Sequence, residues 1–225
     1  MTFSIIARCA ETGRFGVAIS SSSICIANRC PWVRSTVGAV ATQNVTLPSI
    51  GPMVLDELES GSHAFRALQL VMSAEEFSDY RQVIVIDKEG NTASHNGNKA
   101  LGINAVTSGE NCIAAGNLLD NPSIPQAMVD AFLSMPDLDL PRRLLGALQA
   151  GSSAGGEIGP VRSSALVVVA SQMWPLVNIR IDWSEHDPIA ELQFLWQEYE
   201  PQMHDYITRA INPTEAPSYG VPGDE

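Results

Sequence analysis

The feature that most constrains this chain is that its β-type runs and its helical runs both arrive in closely spaced pairs. Residues 3–8 and 15–22 are β-type runs joined by the turn-rich Ala10-Glu11-Thr12-Gly13, which predicts an opening hairpin. Residues 33–43, rich in Val, Thr and Ala, predict a third strand. Gly51-Pro52 opens a helix, and Ser62 can cap a second one in which Phe65, Leu68, Val71 and Met72 recur at helical spacing. Further strands are predicted at 82–87, 92–95 and 111–115, helices at 122–135 and 141–150, and strands at 162–170 and 176–182. Asp187-Pro188 then opens a last helix with an apolar stripe of Ile189, Leu192, Leu195, Trp196 and Tyr199. Strands in tight pairs make antiparallel sheets, and helices in pairs make layers that cover them. The expectation is an α+β fold, a four-layer α-β-β-α sandwich of two antiparallel sheets rather than a doubly wound parallel sheet. It occupies residues 1–211 as one domain. Pro213, Pro217, Gly220, Pro222 and Gly223 mark 212–225 as an acidic, disordered tail.

With 45% hydrophobic and 17% charged residues over 225 positions, the chain has the balance of a globular protein. Its net charge of −12 argues against a nucleic-acid binder, because Lys and Arg neutralising phosphates supply most of that affinity. The charge is unevenly spread. Residues 1–55 carry +3, from four arginines against Glu11, whereas residues 184–225 carry −8. No apolar run reaches membrane-span length, and residues 1–8 contain no basic leader before an apolar stretch, so a cytoplasmic protein without membrane contact is expected. The cysteines Cys9, Cys25, Cys30 and Cys112 read as buried thiols; Cys25 and Cys30 lack the second pair or nearby His of a zinc site. No metal or cofactor is expected.

Gly151-Ser152-Ser153-Ala154-Gly155 fits G-x-S-x-G, but a nucleophile elbow needs a strand before it and a helix after it, and here the order is reversed. The stretch reads as an αβ connection with Gly151 capping a helix. None of the four histidines sits in a metal or triad pattern.

The second residue is more informative. Removal of Met1 would give Thr2 both a hydroxyl nucleophile and an α-amine, whose reference pKa of ~7.7–8.0 lets it act as the base for its own hydroxyl. Arginine charges nearby would enlarge the neutral fraction of that amine, which suits the cationic first quarter of the chain. Four consecutive serines, Ser20 to Ser23, end the hairpin partner strand and suit a polar cleft or an exposed loop.

Several blocks together resemble a known family. Thr2-Phe3-Ser4-Ile5-Ile6-Ala7-Arg8 with Glu11-Thr12-Gly13 and Gly16-Val17-Ala18, then Val37-Gly38-Ala39-Val40-Ala41-Thr42-Gln43, Leu47-Pro48-Ser49-Ile50-Gly51-Pro52, Asp79-Tyr80-Arg81-Gln82-Val83, Gly116-Asn117-Leu118-Leu119, and Gly155-Gly156 before Arg162-Ser163-Ser164-Ala165-Leu166, are similar to the family of unknown function numbered 1028, grouped with the N-terminal-nucleophile (Ntn) hydrolases. The chain departs from it at Glu157-Ile158-Gly159-Pro160-Val161, where the family shows an Asp and an extra basic residue. The resemblance implies the α-β-β-α fold, a processed Thr2 nucleophile and hydrolysis of an amide-like C–N bond; it supplies no substrate, and a small metabolite or short acyl-amide is the expectation set beside it. It places oxyanion donors at Gly116 and Asn117. Gln43, Thr42, Ser20 and Ser164 are then candidates for orienting the amine or the substrate, and Arg29 or Arg34 for clamping a substrate carboxylate. A non-catalytic binding or assembly module, or a serine hydrolase using Ser152 or Ser153, stays open, and a homodimer through helical layers is expected.

Overall fold

A computed structural model of the protein describes residues 2–221. The chain runs β1 (Thr2–Arg8), β2 (Phe15–Ser21), β3 (Pro31–Arg34), β4 (Gly38–Asn44), α1 (Ile50–Glu59), α2 (Ala64–Ala74), β5 (Arg81–Asp87), β6 (Thr92–Asn96), β7 (Ala105–Gly109), β8 (Cys112–Asn117), α3 (Ile124–Leu133), α4 (Leu140–Ser153), β9 (Ser163–Val169), β10 (Val177–Ile181) and α5 (Pro188–Ile211). One six-stranded sheet has the order β10-β9-β2-β1-β8-β7, and a four-stranded sheet the order β3-β4-β5-β6. Every strand pairing in both is antiparallel.

Three apolar clusters separate four layers. Phe3, Ile5, Ala7, Ala114 and Leu166 of the six-stranded sheet pack against α3, α4 and α5 through Met128, Leu144, Leu148 and Leu192. The opposite pleat of that sheet, including Ile6, Val17, Ile19 and Ala115, meets Ala39, Ala41, Ile84 and Ile86 of the other sheet. Val40, Val83 and Val85 then bury α1 and α2 through Val54, Leu58, Leu68 and Val71. The α-β-β-α sandwich expected from the paired runs is the observed architecture. A sheet covered on both faces needs strands apolar on both pleats, and β5 is buried along its whole length.

The expected third strand at 33–43 is two strands. Residues 35–37 form a turn with Thr36 at φ 62°, hidden in sequence by the β-branched residues around it. Gly38 restarts the chain where an added Cβ would come within 2.4 Å of the Ile86 carbonyl oxygen, so only glycine lets β4 approach β5 this closely. The edge strand β7 was not expected from sequence, because its half-buried Ala105-Val106-Thr107-Ser108-Gly109 carries little apolar signal. Gly151 is not a cap: it lies inside the last turn of α4, and α4 runs on through Ser153. The segment after residue 211 does not leave the fold at once. It makes a 3-10 turn at Pro213–Glu215, and Tyr219 lies under the Arg209 guanidinium, 3.8 Å from ring centroid to Cζ. The last four residues of the expected tail, 222–225, lie outside the described residues. Among the described residues no helix is long and apolar enough to cross a membrane.

Candidate functional site

The layer between the sheets changes character along its length. Side chains alternate across a pleated strand, so Ile6, Ser4 and Thr2 share one face of β1, as do Ile19 and Ser21 on β2, Ala115 and Asn117 on β8, Ala41 and Gln43 on β4, and Ile84 and Gln82 on β5. Toward Ile6 and Ile84 this layer is hydrocarbon. Toward the start of β1 it is polar, and those polar side chains are buried: Thr2 is 4% exposed and Ser4, Ser21, Gln43, Gln82 and Asn117 are 0% exposed. Buried polar groups persist where they satisfy one another.

They do so as a chain that stitches the two sheets together. Ser4 Oγ donates to Gln43 Oε1 at 2.7 Å, and Gln43 Nε2 donates to Gln82 Oε1 at 2.8 Å. Asn117 Nδ2 donates to the same Gln82 oxygen at 3.0 Å, while Gln82 Nε2 donates to the Gly116 carbonyl at 2.9 Å and to Asn96 Oδ1 at 3.0 Å. Thr2 pairs with Asn117 across β1 and β8, and Thr2 Oγ1 lies 3.2 Å from Ser21 Oγ. Gln82 is the hub of this network and was absent from the sequence-based candidates; a glutamine in a strand of Val and Ile was the signal available.

Of the sequence candidates, the structure brings together Thr2, Gln43, Gly116 and Asn117. The others lie elsewhere. Ser20 sits one residue off, on the opposite pleat, where its Oγ donates to the Ser163 carbonyl at 3.1 Å; Ser21 takes the position beside Thr2. Ser164 faces the helices and donates to the Pro188 carbonyl at 2.6 Å. Thr42 also faces away, between Ala41 and Gln43, and its buried Oγ1 has no partner among the described residues. In each case a shift of one residue reverses the face. Arg34 is at the far end of β3 and is held on the surface by Asp56 at 2.8 Å and Glu59 at 2.6 Å. Arg29 folds back onto its own loop, donating to the Ile24 and Cys25 carbonyls. Arg8 and Arg14 lie at the hairpin end of β1 and β2, roughly 20 Å from Thr2 at 3.3 Å per residue, and line a separate cavity of about 670 Å³ with Arg143. Arg8, Arg14 and Arg34 of the cationic first quarter therefore do not surround Thr2.

One charged group at this end of β1 is an acid. Glu157 follows Gly155 and Gly156, whose φ values of 126° and 62° carry the chain out of α4. It forms an isolated antiparallel bridge with Leu119, and Ile158 N donates to the Leu118 carbonyl at 2.9 Å, so the loop is anchored just beyond Asn117. Glu157 is 4% exposed, and neither carboxylate oxygen has a hydrogen-bond partner among the described residues. Burial pushes its carboxyl up to about 7, against the lowering effects of the positively charged amino terminus and of the Ser22 hydroxyl and amide, which approach it without completing a bond. In the sequence this residue is marked only by its departure from the family pattern.

A carboxyl held above its unfolded value of 4.5 keeps its proton longer in the folded chain. Its contribution to stability is fully present below 4.5 and is lost as pH rises through about 7. In the chain carrying Met1, Glu157→Gln is expected to raise the urea unfolding free energy at pH 8 by about 1–3 kcal/mol relative to wild type, and to change it little at pH 4.5. An equal gain at both pH values would contradict the buried carboxylate.

Beside Glu157 lies a cavity of about 260 Å³ lined by Phe3, Ser152, Gly156, His186 and Asp187 among others. Ser152 and His186 both border it, but no hydrogen bond links them, and Ser153 Oγ instead accepts from Gln149 on the helix surface. Among the described residues, His63, Asp87 and Glu89 place ligand atoms within 4.8 Å of one another. The Asp87 oxygens are already taken by the amides of Ala64, Glu89 and Asn91, so Asp87 serves as a cap on α2 and a turn brace rather than as an open metal ligand.

The model of a family described as Family of unknown function (DUF1028) matches residues 2–192. The crystal structure of protein SPO2555 from Silicibacter pomeroyi, titled with the same family model, superposes with a TM-score of 0.85 at 34% identity, over 91% of this chain and 89% of that one. Anbu (ancestral beta-subunit) from Yersinia bercovieri aligns over 91% of this chain and 97% of its own, at a TM-score of 0.41 and 10% identity. No functionally curated protein matches the chain. With Thr2, Gln82, Asn117 and Glu157 all inside the matched segment, the chain belongs to the family of unknown function 1028.

Proposed function

We propose that the protein is an N-terminal-threonine amidohydrolase. With Met1 removed, Thr2 Oγ1 attacks the carbonyl of an amide-like C–N bond in a small metabolite or short acyl-amide, and its proton passes to the Thr2 α-amine. The amine protonates the leaving nitrogen, and water then hydrolyses the acyl-enzyme by the reverse path. The observation that carries this reading is the placement of the Thr2 hydroxyl at the polar end of an otherwise apolar inter-sheet layer, directly across from Asn117. Asn117 gives one amide proton to Gln82, and its second is the donor we assign to the developing oxyanion; such a donor is typically worth ~10²–10³ in rate.

The test is the intact mass of the purified protein before and after exposure to an acylating electrophile such as a β-lactone, followed by peptide mapping. The expected result is loss of Met1 and a single adduct on Thr2. Protein that retains Met1 in every molecule, or an adduct confined to Ser152 or Ser153, would sink the proposal.

A further inference from the structure

We infer that Glu157 is the counter-ion of the Thr2 α-amine: with Met1 gone, its carboxylate accepts an N–H of that amine and turns the nitrogen lone pair toward the Thr2 hydroxyl. The inference rests on the threonine reading above and names the group that would hold its base in place. Glu157 is a positioning residue in this scheme, since it acts on the substrate through the amine.

Three observations support it. The first is cost. A carboxylate that is 4% exposed, with neither oxygen hydrogen-bonded among the described residues, is expensive to maintain, and a buried charge is stabilised by a paired cation. No ion pair among the described residues involves Glu157, and the charge that acts on it is that of the amino terminus.

The second is position, fixed from two sides. Thr2 is in register with Asn117, and Glu157 bridges Leu119 two residues further on. On the other flank, Ser21 lies against the Thr2 hydroxyl, and the next residue, Ser22, approaches the Glu157 carboxylate. The carboxylate is thus held at the end of β1 where the uncovered amine would begin.

The third is rigidity. The loop is tied by Asp120 N donating to the Gly156 carbonyl at 3.1 Å, Gly156 N to the Gly151 carbonyl at 3.0 Å, and Ile158 N to the Leu118 carbonyl. A positioning group must be held this way to direct a lone pair. The titratable groups on the elements packed around the carboxyl are Asp120 after β8 and His186 and Asp187 before α5; on the side of the amine stands Cys30, just before β3, on which both the amino terminus and Arg29 act.

The test is an NMR titration of the Thr2 α-amine in protein that begins at Thr2, released from a cleavable amino-terminal fusion if cells retain Met1. Wild type is compared with Glu157→Gln and Glu157→Asp, each shown to be folded by circular dichroism. Glutamine keeps the shape and removes a buried charge, so that variant is expected to fold. Loss of the carboxylate should lower the amine pKa by about one unit or more, with aspartate between the two, and the acid limb of the pH profile for electrophile labelling should move down with it. An amine pKa identical in wild type and Glu157→Gln overturns the inference, whatever the labelling shows. A pKa that moves in protein that never labels at Thr2 upholds the counter-ion while defeating the amidohydrolase reading, so the two failures are told apart.

Discussion

Thr2→Ala should cut the rate of electrophile labelling, and of hydrolysis of any amide substrate found, by at least about a thousandfold, because it removes the only atom proposed to form the covalent intermediate. The backbone role of the residue is untouched. Alanine keeps the pairing of position 2 with Asn117 and leaves Ser4 and Ile6 to hold β1 between its neighbours. Folding is thus expected to survive, with a change in stability of about 1 kcal/mol for loss of the hydroxyl contact with Ser21. Thr2→Ser retains a nucleophilic hydroxyl beside an α-amine and should still label. This pair of variants separates chemistry from structure: a Thr2→Ala protein with full activity rules out the threonine mechanism, and so does a Thr2→Ser protein as inert as the alanine variant.

Gln82→Ala should be among the most destabilising single changes in the chain, lowering the unfolding free energy by about 3–5 kcal/mol. Its carboxamide accepts from Gln43 and Asn117 and donates to Gly116 and Asn96. Truncation strands the Gln43 and Asn117 amides between two sheets, where each unsatisfied group costs about 1–3 kcal/mol, and adds a cavity. Gln82→Leu fills the volume but strands the same groups, so urea unfolding of both variants apportions the two costs. If the leucine variant is as stable as wild type, the hydrogen-bond chain contributes nothing and the argument from it fails. A loss of Thr2 labelling beyond the loss of folded protein is also expected, because the Asn117 side chain opposite Thr2 is oriented by this glutamine.

The architecture was largely legible in the sequence. Turn residues at Ala10–Gly13 and at Lys88–Asn91, together with helical spacing in 64–74 and 188–199, report local energetics that act within a few residues of one another. What local signals missed were features decided by a neighbour. The turn at Thr36 is such a case, since Gly38 is needed there to admit the Ile86 carbonyl. The strand β7 is another: it is a strand because β8 offers it an edge.

The site divides in the same way. The sequence marked Thr2, Gln43, Gly116 and Asn117, but it could not say on which pleat Ser20, Thr42 and Ser164 lie, because a one-residue change of parity leaves composition untouched. Its charge pattern misled. Arg8 and Arg14 are close to Thr2 in number and roughly 20 Å away in space, since a strand moves about 3.3 Å per residue, while Glu157, distant in number, arrives at the end of β1 through a loop anchored on β8. A charged group that arrives beside the proposed nucleophile is thus an acid.

By itself, then, the sequence determined the sandwich and the family, because periodicity and turn chemistry are properties of contiguous residues. Only the tertiary structure decided which polar side chains share a buried end of the inter-sheet layer, and that a buried carboxyl with no hydrogen-bond partner among the described residues stands there. Those facts depend on strand order and pleat parity, which bring together residues 2, 43, 82, 117 and 157 from separate stretches of the chain.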